Sequence, residues 1–97
     1  MNIECIEIKD PLKMAARAAI EVHIKTTNGE NRWCFFFTPV GIAACGEFIE
    51  GTNVRFHHGA SHMIVVSEIS EKIIEAALKD IENRGVLREC TRAFNPE

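Results

Sequence analysis

The chain has 97 residues, of which 46% are hydrophobic and 26% are charged, and its formal net charge is -3. This composition excludes intrinsic disorder, because six Phe and one Trp accompany a small net charge. Lysine and arginine do not cluster, so we expect neither a nucleic-acid partner nor a polybasic membrane contact. The longest uncharged stretch, 33–46, is too short for a transmembrane helix. The length predicts a single domain over residues 1–97.

The four cysteines could form two disulfides in three possible pairings, and reduced thiols are the main expectation. No C-x-x-C motif occurs among the cysteines, which are Cys5, Cys34, Cys45 and Cys90. The sequence therefore gives no support to a zinc ribbon or a thioredoxin-type site. Met1 is not followed by a charged and apolar export signal, so a cytoplasmic location and reduced thiols are expected. Free cysteine is among the most buried residue types, which predicts packing roles for all four.

Residues 2–8 mix apolar and acidic side chains and predict a first strand, which Asp10-Pro11 ends. A β-hairpin follows, because residues 20–24 alternate in polarity and Asn28-Gly29 is typical of a two-residue type I′ turn. That turn places the apolar residues of both strands on one face: Ile24 opposite Trp33, Val22 opposite Phe35, and Ile20 opposite Phe37. The other face then pairs Lys25 with Arg32, His23 with Cys34, and Glu21 with Phe36.

The second half of the chain predicts two helices and two strands. Thr38-Pro39 is a good helix start and predicts a short helix over 39–49. A brief strand over 54–56 and a buried strand over 62–67 come next. The strongest helix, 71–84, begins after Ser70 and ends at Gly85. The expected fold is therefore α+β: a mainly antiparallel sheet of three to five strands, with one long C-terminal helix and one short helix packed on it.

The histidines are the candidate metal ligands. His57, His58 and His62 could supply three imidazoles to a metal ion and leave an open position for catalysis. Gly59 interrupts their spacing, and in a strand His57 and His58 point to opposite faces. An exposed polar loop is therefore the main interpretation, with a metal site as the alternative.

A thiol–imidazole pair is a second candidate for chemistry. In the predicted hairpin, Cys34 stands opposite His23, which would suit a thiolate–imidazolium nucleophile. Contacts of this kind across a sheet are usually packing. No catalytic residue and no cofactor is therefore assigned.

The stretch 19–82 resembles the immunity protein 8 family of bacterial polymorphic-toxin systems in its order of elements. An alternating strand at 20–24 and an Asn-Gly turn precede the aromatic run 35–39, which ends in Thr-Pro. A Gly-x-x-His segment then enters a β-branched strand at 59–66, and an acidic helix follows from Glu71.

The resemblance implies a non-enzymatic protein that binds and neutralises a cognate protein toxin in the cytoplasm. Acidic side chains would suit a basic toxin surface. The residues expected on such a surface are Glu47, Glu50, Glu71, Glu75 and Glu82.

Two further functions remain open. The first is a small metal- or thiol-dependent enzyme that uses His57, His58 and His62, or Cys34. The second is a homo-oligomer, possible as a homodimer, in which an exposed edge of the hairpin pairs with a second copy.

Overall fold

The computed structural model describes residues 2–14, 19–41, 47–56 and 61–95, without the side chains of Met14, Glu47, Arg55 and Phe56. It confirms an α+β fold with a mixed five-stranded sheet and a separate two-stranded sheet. The main sheet contains β1 (Ile3–Ile8), β2 (Ile20–Thr26), β3 (Asn31–Phe37), β6 (Met63–Val65) and β7 (Arg92–Ala93). The small sheet pairs β4 (Glu47–Phe48) with β5 (Arg55–Phe56). The helices that lie wholly within the described residues are a 3-10 turn at Leu12–Met14, α1 (Glu71–Asn83) and α2 (Leu87–Cys90).

The strand order is β1-β2-β3-β6, and β7 shares the outer edge of β3 with β6. The β1–β2, β2–β3 and β3–β7 pairs are antiparallel, whereas β3–β6 is parallel. Both hairpin strands are therefore paired on both sides. The prediction that the hairpin offers an exposed edge to a second copy is wrong, because β1 covers one side of the hairpin and β6 and β7 cover the other. A homodimer by another route stays a prediction.

The hairpin register differs from the prediction by one residue. Val22 lies opposite Cys34, and His23 lies opposite Trp33. The loop has three residues because the Thr26 N–H donates to the Glu30 carbonyl at 3.0 Å. Gly29 alone among the described loop residues has a positive φ, 85°, whereas a type I′ turn needs two such residues.

A shift of one residue turns every side chain of a strand to the other face. The predicted faces are therefore exchanged in β3: Phe36 is buried in the core, while Trp33 and Phe35 lie on the opposite face and are only partly buried. Lys25 lies opposite Asn31 rather than Arg32, which removes the predicted contact between like charges.

The core lies between one face of the sheet and α1. Its buried side chains come from β2, β3, α1 and α2: Ile20, Val22, Ile24, Cys34, Phe36, Ile74, Leu78 and Leu87. Helix α1 begins where Ser70 Oγ accepts the N–H of Ile73 at 3.2 Å. Its C-cap is Arg84, and the φ of 72° at the following Gly85 allows the N–H of Val86 to reach the Ile81 carbonyl at 3.2 Å. The predicted helix and both of its caps are confirmed.

Two other predicted elements are shorter than expected. Residues 39–41 are helical and Thr38 Oγ1 accepts the Gly41 N–H at 3.0 Å, but β4 already begins at Glu47. The predicted helix over 39–49 therefore extends too far, because Phe48 pairs with β5 instead. The predicted buried strand over 62–67 contains only β6, and Val65 is 49% exposed at the sheet edge.

Candidate functional site

The sheet face opposite α1 carries the charged, imidazole and aromatic side chains that could bind a ligand or a partner, and we call it the open face. Opposed residues in the register share a face. One row across the sheet contains Glu7, His23, Trp33 and Arg92. The neighbouring rows contain Glu21, Phe35 and Met63 on one side, and Cys5, Lys25 and Asn31 on the other.

Aromatic rings form a layer across the middle of the open face. The Trp33 ring centroid lies 4.6 Å from those of Phe35 and His62, and the Phe35 and Phe37 centroids are 6.1 Å apart. Beyond the end of β7, Phe94 brings its ring to 4.7 Å from the imidazole of His23. The Phe94 N–H donates to the Asn31 carbonyl at 2.9 Å, which fixes this segment beside β3.

A carboxylate–imidazole pair borders this layer. Glu21 Oε2 lies 2.5 Å from His23 Nε2, and both side chains are partly exposed. Glu7, opposite His23, pairs with Lys9 at 2.6 Å. The hydrogen bond from Lys9, its positive charge and the nearby His23 together lower the pKa of the Glu7 carboxyl below its ordinary value.

His62, one of the three candidate metal ligands, is buried beside aromatic rings. Its side chain is 93% buried against Trp33 and Phe35, and burial followed by the charge of Arg92 lowers the pKa of its imidazole. His57 and His58 lie outside the described residues. Over 2–14, 19–41, 47–56 and 61–95, no group of three His, Cys, Asp or Glu side chains could hold a metal ion. The three-histidine site stays a prediction.

The predicted pairing of Cys34 with His23 is wrong. Cys34 points into the core, on the face opposite to that of His23, because the hairpin register is shifted. Burial, with a smaller contribution from Cys90, raises the pKa of the Cys34 thiol to about 12, which disfavours the thiolate. Cys5 is exposed on β1, contrary to the expectation that all cysteines are packed, and Cys45 lies outside the described residues.

The predicted acidic surface is only partly gathered in space. Glu71 and Glu75 are exposed on α1, and Glu50 is exposed in the turn between β4 and β5. Glu82 is instead engaged within the fold, since its carboxylate accepts the Ile3 N–H at 2.5 Å, and this hydrogen bond lowers its pKa. The side chain of Glu47 is not described. A contact of this surface with a partner stays a prediction.

A second exposed apolar surface lies on the small sheet. Phe48, Ile49 and Val54 are 53%, 44% and 57% exposed, and the Ile49 N–H donates to the Val54 carbonyl at 2.8 Å. This hairpin and the open face were both missed from the sequence. The residue that could have indicated the open face is Thr26. Its hydroxyl accepts the Glu30 N–H at 3.1 Å and closes the three-residue loop, which shifts the hairpin register and turns Trp33 and Phe35 to this face.

Comparisons of the chain with protein-family models, with curated proteins and with solved structures give no match. Among the described residues, no helix is long and apolar enough to cross a membrane.

Proposed function

We propose that this chain is a non-enzymatic protein-binding module that binds its partner through the open face of the sheet. One observation carries the proposal: the rings of Trp33, Phe35 and Phe94 remain partly exposed on this face, while α1 packs on the other. Aromatic side chains supply large contact areas at a small cost in conformational entropy and are enriched at the centres of protein interfaces.

The polar groups around the rings suit an interface as well. Four charged residues lie on the same face around the aromatic rings: Lys25, Arg92, Glu7 and Glu21. An apolar centre with a charged border is the usual anatomy of a protein–protein contact. The border would set the orientation of the partner and its rate of association more than its affinity.

The proposed partner is a cognate protein toxin, met in the cytoplasm. Two features support this choice: the resemblance of 19–82 to the immunity protein 8 family, and a net charge of -3 that suits a basic partner. The test is co-expression with the product of a neighbouring gene that kills cells when it is expressed alone. Survival of the cells supports the toxin as partner, and continued killing despite expression of both proteins contradicts it.

The binding surface is tested by one substitution made in two places. Phe94→Ser changes the open face, and Phe48→Ser changes the small hairpin, where the phenylalanine is 53% exposed. With the partner identified by affinity capture, titration calorimetry should show Kd raised about 10-fold or more by Phe94→Ser. Phe48→Ser should leave Kd within about 2-fold, as expected for a residue outside the interface. The reverse result would move the interface to the hairpin, and Glu75→Gln tests the helix surface in the same assay.

A further inference from the structure

A shallow depression of about 310 Å³ lies on the open face, over the β2–β3 pair. Five residues line it: Glu21, His23, Trp33, Phe35 and Phe94. The register explains its shape, because Glu21 stands opposite Phe35 and His23 stands opposite Trp33. Phe94 closes one end from the segment after β7.

The lining has the chemistry of a cation site. Three of the five residues are aromatic, and ring faces attract cations through their quadrupole. Glu21 is the one acidic residue of the five, and none of them is Lys or Arg. His23 Nε2 contacts one carboxylate oxygen, Oε2, and positions the group, so that Oε1 can accept from an incoming donor.

We propose that this depression receives an arginine side chain of the protein partner. A guanidinium is planar, so it can stack on an aromatic ring while its N–H groups reach a carboxylate at the rim, which an ammonium cannot do in the same way. Arg92 lies opposite Trp33 on the same face, and its charge opposes approach from that side. The incoming group therefore lies over Phe35 and Glu21. This inference rests on the proposed function, and it specifies which side chain the open face recognises.

The site contains its own reporter. Trp33 is the only tryptophan of the chain, so its fluorescence and its indole N–H signal report on the depression alone. The probes are N-acetyl-arginine amide and N-acetyl-citrulline amide, which have nearly the same shape but differ in charge. We expect a saturable shift of the indole signal with the arginine probe, and binding of the citrulline probe at least about 5-fold weaker.

Two matched substitutions test the carboxylate. Glu21→Gln should weaken binding of the arginine probe about 5-fold, because it keeps the shape but removes the charge. Glu89→Gln makes the same change at an exposed position on α2 and should leave binding unchanged. Far-UV circular dichroism of both variants verifies that the fold is retained.

Three results would overturn the inference: equal binding of the two probes, an unchanged arginine affinity in Glu21→Gln, or an equal loss in Glu89→Gln. These results are distinct from a failure of the proposed function. If the arginine probe does not bind but Phe94→Ser still weakens the partner complex, the open face binds its partner without an arginine. If the probe binds as expected and Phe94→Ser leaves the partner complex intact, the proposed function fails.

Discussion

Arg32 holds the C-terminal segment against β3, and replacing Thr91 by valine removes its best-placed acceptor. The Arg32 side chain is 95% buried, and its Nε donates to Thr91 Oγ1 at 2.6 Å. The same hydroxyl donates to the Leu87 carbonyl at 2.6 Å. Arg32 Nη2 donates to the carbonyls of Thr91 and Arg88, so one guanidinium links β3 to the end of α2.

Thr91→Val preserves the volume of the side chain and leaves a buried N–H of the guanidinium without an acceptor. Loss of a hydrogen bond from a charged group costs about 1.5–3 kcal/mol, and loss of the neutral one to Leu87 costs about 1 kcal/mol. We therefore expect a fall of about 3 kcal/mol in the free energy of unfolding, seen as a drop of about 2 M in the urea midpoint.

Thr91→Ser is the control, because it keeps the hydroxyl and loses one methyl group, at a cost of about 1 kcal/mol. On an Arg32→Met background, Thr91→Val should also cost only about 1 kcal/mol, since the charged donor is gone. If Thr91→Val lowers the free energy of unfolding no more than Thr91→Ser does, or by the same amount on both backgrounds, then the Thr91 hydroxyl is not the acceptor that stabilises Arg32.

Three other predictions concern thiols, pH and the hairpin loop. In the native protein Cys5 should react with an aromatic disulfide reagent, whereas Cys34 should react only on unfolding, because it is buried and burial raises its pKa to about 12. Peptide mass spectrometry distinguishes the two thiols, and labelling of Cys34 before unfolding would contradict its place in the core. Because the pKa of His62 is lowered in the folded protein, the unfolded chain binds the proton more readily. The contribution of His62 to the free energy of unfolding is therefore present above about pH 6.5 and is lost as the pH falls below that value. Urea midpoints at pH 7.5 and 5.5 test this, and His62→Phe should reduce the difference between them. Gly29→Ala should lower the free energy of unfolding by about 1 kcal/mol, because the φ of 85° disfavours a side chain. An unchanged Tm would contradict the positive φ of Gly29.

The sequence predicted the parts of the fold whose signals are local and agree with one another. Helix α1 has an apolar stripe, a Ser70 N-cap and a glycine at its C-terminal end, Gly85, that all indicate the same boundaries, and the structure places it within one residue of them. Strand β1 and the existence of the hairpin were predicted for the same reason.

The alternation of apolar and polar residues could not decide the register of the hairpin. Phe35, Phe36 and Phe37 are consecutive, so either register places aromatic rings on the core face. The choice depended on whether Asn28-Gly29 formed a two-residue loop or the last part of a three-residue one. The side chain of Thr26 favours the second, and its buried hydroxyl bonds to the loop.

That single shift explains why the candidate site was predicted poorly. The expected thiol–imidazole pair vanished when Cys34 turned into the core, and Trp33 and Phe35 turned to the open face instead. The position of Phe94 depends on pairing between β3 and the C-terminal segment, residues far apart in sequence. Contacts of this kind have no local signal.

The central claim is that the partner covers the open face of the sheet. Its most direct test is photo-crosslinking from a benzoylphenylalanine placed at Lys25 on the open face, or at Lys72 on the exposed side of α1. Both positions are exposed lysines, so the two variants carry the same change on opposite sides of the molecule. We predict that the partner crosslinks from position 25 and not from position 72, and crosslinking from position 72 alone would contradict the claim.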